Sequence, residues 1–337
     1  QRCGRLPPAA APFGESKPAM AATVLEGADG AAGAGVTQRI SSASDPRLDD
    51  FRDLKGRWAG GGSGNRVLAE GWEVVTALLA SGFAVEALVV QPSMLGEVVP
   101  LLASRTERRC SGPDAVLVCE VELLEEVSGV HIATRGGLAF ALAARRRGSG
   151  ADRLPSSEEL LAEAVPQLAP NAADDVPLRV LALDGLTDAS NVGALLRVAS
   201  AFGATAVLCS ADCCDPFHPK AVRASGGRVF HVAVVRGDLP ALLQALRARE
   251  VLTAAAVVQP GARFLDEVDE ISRRWALVVG AEHAGVSTAA RAACNLLVKV
   301  RMALGVDSLN VVVSAGVLLH GCVEREGREG TGCRQRS

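Results

Sequence analysis

Leu178-Arg179-Val180-Leu181-Ala182-Leu183-Asp184-Gly185-Leu186-Thr187-Asp188-Ala189-Ser190-Asn191-Val192-Gly193 is the stretch whose reading decides the fold. Leu178 to Leu183 is an apolar run of buried-strand length. Asn191 then opens a helix whose apolar positions, Val192, Leu195, Leu196, Ala199 and Phe202, follow the 3.6-residue period until Gly203 ends it. A strand running through a polar loop into an amphipathic helix is half of a βαβ unit. Downstream the alternation repeats. Ala206 to Cys209, Val251 to Val258, Trp275 to Val279 and Leu296 to Val300 read as strands. Asp238 and Pro240 start a helix over Leu242 to Ala248, and Leu309 to His320 forms a terminal helix. The expected architecture is α/β, a parallel sheet with helices covering it.

Upstream, elements also alternate. Helices are predicted over Leu48 to Trp58, Trp72 to Ala80, Met94 to Ala103 and Val121 to Val127. Strands are predicted over Val67 to Gly71, Ala84 to Val90 and Val116 to Cys119, with a further apolar segment over Gly137 to Ala143. This suggests a smaller α/β domain over residues 40–145. Between the halves, residues 146–177 read as a linker, with Gly148-Ser149-Gly150, four prolines and Asp174-Asp175; Glu158 to Val165 forms a brief helix within it. Residues 1–39, rich in Ala, Gly and Pro, read as a disordered leader, and 326–337 as a disordered tail. The second half, 178–325, is the regular one.

With 337 residues, 49% hydrophobic and 22% charged, the chain is long enough for about two domains with real cores. A net charge of −3 excludes a generally basic nucleic-acid coat. Two arginine clusters, Arg105/Arg108/Arg109 and Arg145 to Arg147, could still be local RNA patches or ordinary solvated loops. Cys209, Cys213 and Cys214 have no second pair at ligand spacing, so no metal site is expected and the thiols read as reduced and intracellular. No apolar run reaches the ~20 residues that span a bilayer, so no membrane partner is expected. Glu15, Glu26 and Asp29 count against a transit peptide, leaving cytoplasm, mitochondrion or plastid open.

Three loops carry the chemistry. The first is the Asp184-to-Gly193 turn, which is neither a dinucleotide fingerprint nor a Walker loop. Asn191 suits a helix cap, and Arg197 lies off the apolar stripe as an exposed side chain. The second is Gly280-Ala281-Glu282-His283-Ala284-Gly285, where glycines suggest a ligand close to the backbone and His283 beside Glu282 suggests a base. The third is Val300-Arg301-Met302 with Gly305 and Ser308-Leu309-Asn310, where Ser308 or Asn310 suits the cap of the last helix. Parallel sheets bind ligands outside the carboxyl ends of their strands. None of the loops cradles phosphate, which suits an apolar-walled site for a ligand such as S-adenosylmethionine.

In order and spacing these loops resemble the three motifs of the SpoU (TrmH-like) family of SPOUT RNA 2′-O-methyltransferases: Asn191-x-Gly193-Ala194-x-x-Arg197-x-Ala199, Gly280-x-Glu282-x-x-Gly285, and Met302-x-x-Gly305 with Ser308-Leu309-Asn310-Val311. Arg223-Ala224-Ser225-Gly226-Gly227 matches the family's serine-glycine element. Leu68-Ala69-Glu70-Gly71 and Gly136-Gly137-Leu138-Ala139 are similar to an L30e-type substrate-binding domain. Arg301 stands where the family has proline, and Thr134 and a displaced His131 depart from its His-Arg-Gly.

The resemblance implies S-adenosylmethionine-dependent transfer of a methyl group to a ribose 2′-hydroxyl of RNA, rRNA ahead of tRNA, without a metal. It implies a trefoil knot, which general topology rules would exclude. It implies donor binding at Gly280, Val300, Met302 and Leu309, and catalysis by Arg197 with Asn191, Glu282, Ser308 and Asn310 orienting it and the RNA. It also implies a homodimer. The last helix carries Leu309, Val312, Val313, Gly316, Val317 and His320 along one side and Val311, Ala315, Leu318 and Leu319 along the other, so both sides need cover. The first domain could supply one cover, a second subunit the other. Two other readings stand beside this one: a catalytically silent RNA-binding paralogue, and an oxidoreductase that would lack its glycine fingerprint.

Overall fold

The computed structural model describes residues 36–58, 65–108, 110–130, 139–145, 156–168, 176–268, 271–305 and 308–326. Residues 36–145 contribute β1 (Val36–Arg39), α1 (Leu54–Arg57), β2 (Arg66–Glu70), α2 (Trp72–Ala80), β3 (Val85–Val90), α3 (Leu95–Glu107), β4 (Ala115–Val118), α4 (Val121–Ser128) and β5 (Ala139–Ala144). The strands form one sheet in the order β1-β4-β3-β5-β2, with β1, β4 and β3 parallel and β5 antiparallel to both its neighbours. Three expectations change here. Val36–Arg39, assigned to the leader, is a strand paired with β4; four residues beside an Ala/Gly-rich run show no usable period. The helix expected over Leu48 to Trp58 is two pieces, a 3₁₀ turn over Pro46–Phe51 and α1, because Asp53 between them has φ 42°. The apolar segment near Gly137 is a strand, buried on both faces and therefore without alternation. The closing element Gly136-Gly137-Leu138, with His131 and Thr134, lies outside the described residues.

The first arginine cluster has a structural task. Arg105 is 1% exposed and donates to the backbone oxygens of Leu79 (2.7 Å), Ser81 (2.9 Å) and Ser111 (2.6 Å). Arg108 donates to Ala80 O at 2.7 Å. The end of a helix leaves carbonyls without partners, and these two guanidiniums satisfy those of α2. Burial holds the Arg105 pKa below its ordinary value. Arg145 pairs with Asp215 at 2.7 Å; Arg109, Arg146 and Arg147 lie outside the described residues.

The second half adds α5 (Ser157–Ala164), β6 (Leu178–Asp184), α6 (Ala189–Ala201), β7 (Ala206–Ser210), α7 (Pro219–Ala224), β8 (Ala233–Gly237), α8 (Leu239–Arg247), β9 (Leu252–Ala256), β10 (Arg263–Phe264), β11 (Arg274–Gly280), α9 (Thr288–Ala292), β12 (Leu296–Lys299) and α10 (Val311–Arg325). The described strands form a wholly parallel sheet, β10-β12-β9-β11-β6-β7-β8. Alternate residues of the central strands feed two cores. Leu181, Leu183, Leu277 and Val279 join α6, α7 and α10 on one face, while Val180, Ala182, Ala276 and Val278 join α5, α8 and α9 on the other. Helices therefore lie on both faces. Gly193 permits the tight seat of α7 on α6, since a Cβ there would lie 2.3 Å from Ala221 O.

The described part of the expected linker is packed structure. Ser156 and Glu159 form a capping box on α5, and Leu161, Val165 and Leu168 are buried in the second core. Likewise Glu326, assigned to the tail, accepts from Arg179 (2.7 Å) and Trp275 (3.4 Å).

The first half docks on the second through the Gly226-Gly227 turn. A Cβ on Gly227 would lie 2.5 Å from Ala77 Cβ of α2. Arg223 of α7 reaches Glu70 at the end of β2 (2.7 Å), and His231 meets Ala77 O at 2.9 Å.

Candidate active site

The three loops singled out in the sequence leave the carboxyl ends of β6, β11 and β12. β6 and β11 are neighbours, so two of those loops start side by side. Asp184 ties them together: its backbone oxygen accepts from Ala281 N (3.1 Å) and its Oδ2 from Ser287 N (2.7 Å). Within the second loop, Gly285 N donates to Ala281 O at 2.7 Å, folding the loop back on β11. A Cβ on Gly280 would lie 2.1 Å from the Gly285 carbonyl and 2.3 Å from Val286 N. The glycine is thus demanded by the loop's own backbone, where the sequence reading had given that space to a ligand.

Glu282 is the hub. Its Oε1 accepts from Asn191 Nδ2 at 3.3 Å and from Asn310 Nδ2 at 2.9 Å, so one carboxylate oxygen joins all three loops. Asn310 caps α10, its Oδ1 accepting from Val312 N at 2.9 Å, which commits its oxygen to the helix and leaves its NH₂ for Glu282. Asn191 is not a cap. α6 begins two residues earlier because Asp188 Oδ1 accepts from Ser190 N (2.8 Å) and Asn191 N (2.9 Å), freeing the Asn191 side chain. The Asn191 amide foremost, with Lys220 nearby, holds the Asp188 carboxyl below the usual range.

Beside this hub lies a cavity of about 330 Å³, within the ~300–1,000 Å³ of small-molecule sites. Gly280, Val300, Met302 and Leu309, the four expected donor-binding residues, all line it, as do Glu282, His283 and Ser308. Arg197 does not. It lies exposed, about 9 Å along α6 from Asn191. A Cβ on Gly226 would be 3.8 Å from its Nη1 and 3.1 Å from Glu73 Oε1. Within one chain the expected catalytic arginine and the cavity are separate.

Arg301, the departure from proline, turns away from the cavity wall. It stacks 4.0 Å from the Phe264 ring centre and bonds Asp266 (3.1 Å) and Glu267 (2.9 Å). Its guanidinium, by hydrogen bonding foremost, holds the Asp266 carboxyl below the usual range. Sequence reasoning missed Gln259 and Arg291, which also line the cavity. Neither belongs to a motif; the only signal was that Gln259 follows the end of β9, another parallel strand.

Of the cysteines, Cys209 is buried, which pushes its thiol well up, and buried Cys213 accepts from Leu186 N and donates to Leu183 O, both at 3.3 Å. Among the described residues no cluster of His, Cys, Asp or Glu could hold a metal, and no helix is long and apolar enough to cross a membrane.

Residues 178–320, which contain all three loops, match the SpoU rRNA Methylase family. An uncharacterized tRNA/rRNA methyltransferase of Mycobacterium tuberculosis is 32% identical over 290 residues, covering 84% of this chain and 90% of that protein. The 23S rRNA (guanosine-2′-O-)-methyltransferase RlmB of Nitrosomonas europaea is 36% identical over 145 residues, 42% of this chain and 55% of that one. The fold is that of an AdoMet-bound rRNA methyltransferase from Sinorhizobium meliloti, with TM-score 0.64 at 21% identity over 86% of this chain and 98% of that one. With a relative this similar matched along nearly its whole length, and the family segment falling on the three loops that build the site, the chain belongs to the SpoU family of RNA methyltransferases.

Proposed function

We propose that the chain transfers a methyl group from S-adenosylmethionine to a ribose 2′-hydroxyl of RNA, with rRNA ahead of tRNA as substrate. The observation that carries this is the Glu282 carboxylate, held by Asn191 and Asn310 at the rim of an apolar cavity. The cavity fits the donor. Val279, Val286, Val298, Val300, Met302 and Leu318 offer apolar walls to an adenosine, and Glu282 offers a carboxylate to a sulfonium. Bound there, the donor supplies a methyl group already activated on sulfur.

The residues of the chain do the rest. Asn191, Glu282, Ser308 and Asn310 position the ribose and its phosphate, and orientation alone is worth ~7 kcal/mol or more in favourable cases. A guanidinium is a poor base, so the 2′-hydroxyl proton passes to a neighbouring RNA phosphate or to water while Arg197 stabilises the alkoxide as charge develops. Its distance from the chain's own cavity supports a homodimer in which each active site takes Arg197 from one subunit and the donor cavity from the other. Val313 and Val317 on α10 are 53% and 47% exposed, an apolar stripe next to α6, where His320 also meets Phe202. The same reading makes the first half, with β1 at the edge of its sheet, an L30e-like RNA-binding domain, and gives the second half an end that threads a trefoil knot.

The test is incubation with tritiated S-adenosylmethionine and total RNA, followed by mapping of 2′-O-methylated nucleotides in RNA from a strain lacking the protein. A lost ribose methyl group in rRNA supports the reading; an unchanged map contradicts it.

A further inference from the structure

The geometry points to Arg291 as the residue that binds the carboxylate of the donor's methionine end. This rests on the donor reading above and deepens it. Arg291 lies on α9 and lines the cavity together with Gln259. Its Nη1 donates to Gln259 Oε1 at 2.7 Å and its Nη2 to Thr288 Oγ1 at 3.0 Å. Both partners are neutral. They fix the plane of the guanidinium at the wall and leave its charge uncancelled. A half-buried, immobilised arginine with no acid among the described residues paired to it is an anion site in waiting, because the fork geometry matches a carboxylate.

The other cations at the cavity are differently placed. The Lys299 ammonium sits 4.3 Å from the centre of the Phe264 ring, the ring on which Arg301 also stacks. Lys299 therefore already has an aromatic partner. His283 is exposed on the loop beside Glu282. Among the described residues Glu282 is the only acid of the lining. S-adenosylmethionine carries one anionic group, its carboxylate, and two cationic ones, its ammonium and sulfonium. A wall that sets the Arg291 guanidinium, held by neutral partners, apart from the Glu282 carboxylate sorts these groups: the donor's carboxylate goes to Arg291, and the sulfonium avoids it.

Calorimetry with two ligands tests this on the full-length chain. S-adenosylhomocysteine carries the carboxylate; 5′-methylthioadenosine keeps the adenosine and sulfur but lacks the amino-acid end. The unaltered protein should bind S-adenosylhomocysteine more tightly. Arg291→Gln should weaken S-adenosylhomocysteine at least ten-fold while leaving 5′-methylthioadenosine within two-fold, which also shows that the cavity is folded. Arg291→Lys should retain part of the preference, and Lys299→Gln should keep it. Unchanged S-adenosylhomocysteine affinity in Arg291→Gln overturns the assignment. So does an equal loss for both ligands, which would make Arg291 a structural support only, or a loss of preference in Lys299→Gln instead. Failure of the unaltered protein to bind either ligand overturns the donor reading itself.

Discussion

At the scale of single residues, Gly280 shows that a glycine at a candidate site can be required by the backbone around it. Its missing side chain is filled by the Gly285-Val286 backbone, so Gly280→Ala should lower stability by roughly 3 kcal/mol through overpacking. Thermal unfolding checks this: the melting temperature should fall even without donor, whereas a ligand-contact role would leave the unliganded protein unchanged. Arg105→Ala should cost about 3 kcal/mol, because it strips the partners from buried carbonyls at the end of α2. A variant as stable as the parent would show that this arginine is dispensable to the fold. Arg197→Ala should abolish methyl transfer and leave donor affinity within a few-fold, as read by single-turnover assay and calorimetry. Near-normal turnover would remove Arg197 from the proposed mechanism.

The elements show what periodicity can and cannot tell. The α6 stripe of Val192, Leu195, Leu196 and Ala199 was legible because those positions recur at helical spacing and are buried, while Ser190, Asn191, Arg197 and Ser200 lie off it. α10 was legible as a helix but not in its phase. Two apolar stripes compete on it, and the structure buries Val311, Ala315, Leu318, Leu319 and Cys322 rather than the stripe through Val313 and Val317. A period fixes the spacing of a face and says nothing of which face a sheet will cover. Leu319 is fully buried, so an aspartate there would unfold the core and report nothing on assembly. Val313→Asp with Val317→Asp is the informative change: dimer fraction by sedimentation and methyl transfer should fall together, while the melting temperature moves little. An active monomer at micromolar concentration would contradict the shared site. The start of α6 carries a pH dependence. The Asp188 carboxyl is depressed in the folded chain, so its capping contribution is present above its unfolded pKa of about 3.9 and is lost as pH falls through the lower folded value. Asp188→Ala should accordingly lose most of its stability deficit in strong acid, as followed by unfolding at graded pH.

For the whole molecule, five strands of the parallel sheet and the three loops were legible because buried strands, glycine turns and helix starts recur in order, while β8 and the two-residue β10 were not assigned. What was not legible depends on distant partners. β1 exists only because β4 offers it an edge, α5 only because α8 and β8 bury its leucines, and the guanidinium of Arg291 lies in the cavity wall through contacts with Gln259 and Thr288. The hub at Glu282 joins residues far apart in the chain: the resemblance grouped Asn191, Glu282 and Asn310, but the sharing of one carboxylate oxygen by the two amides depends on how the loops fold together. The most direct measurement is transfer from tritiated S-adenosylmethionine to rRNA by the unaltered protein and by Glu282→Ala, with the labelled nucleotides analysed for 2′-O-methylribose. Ribose methylation at the Glu282 hub requires label confined to 2′-O-methylribose and at least a ten-fold loss in the variant. Label on a base, or a variant as active as the parent, would contradict it.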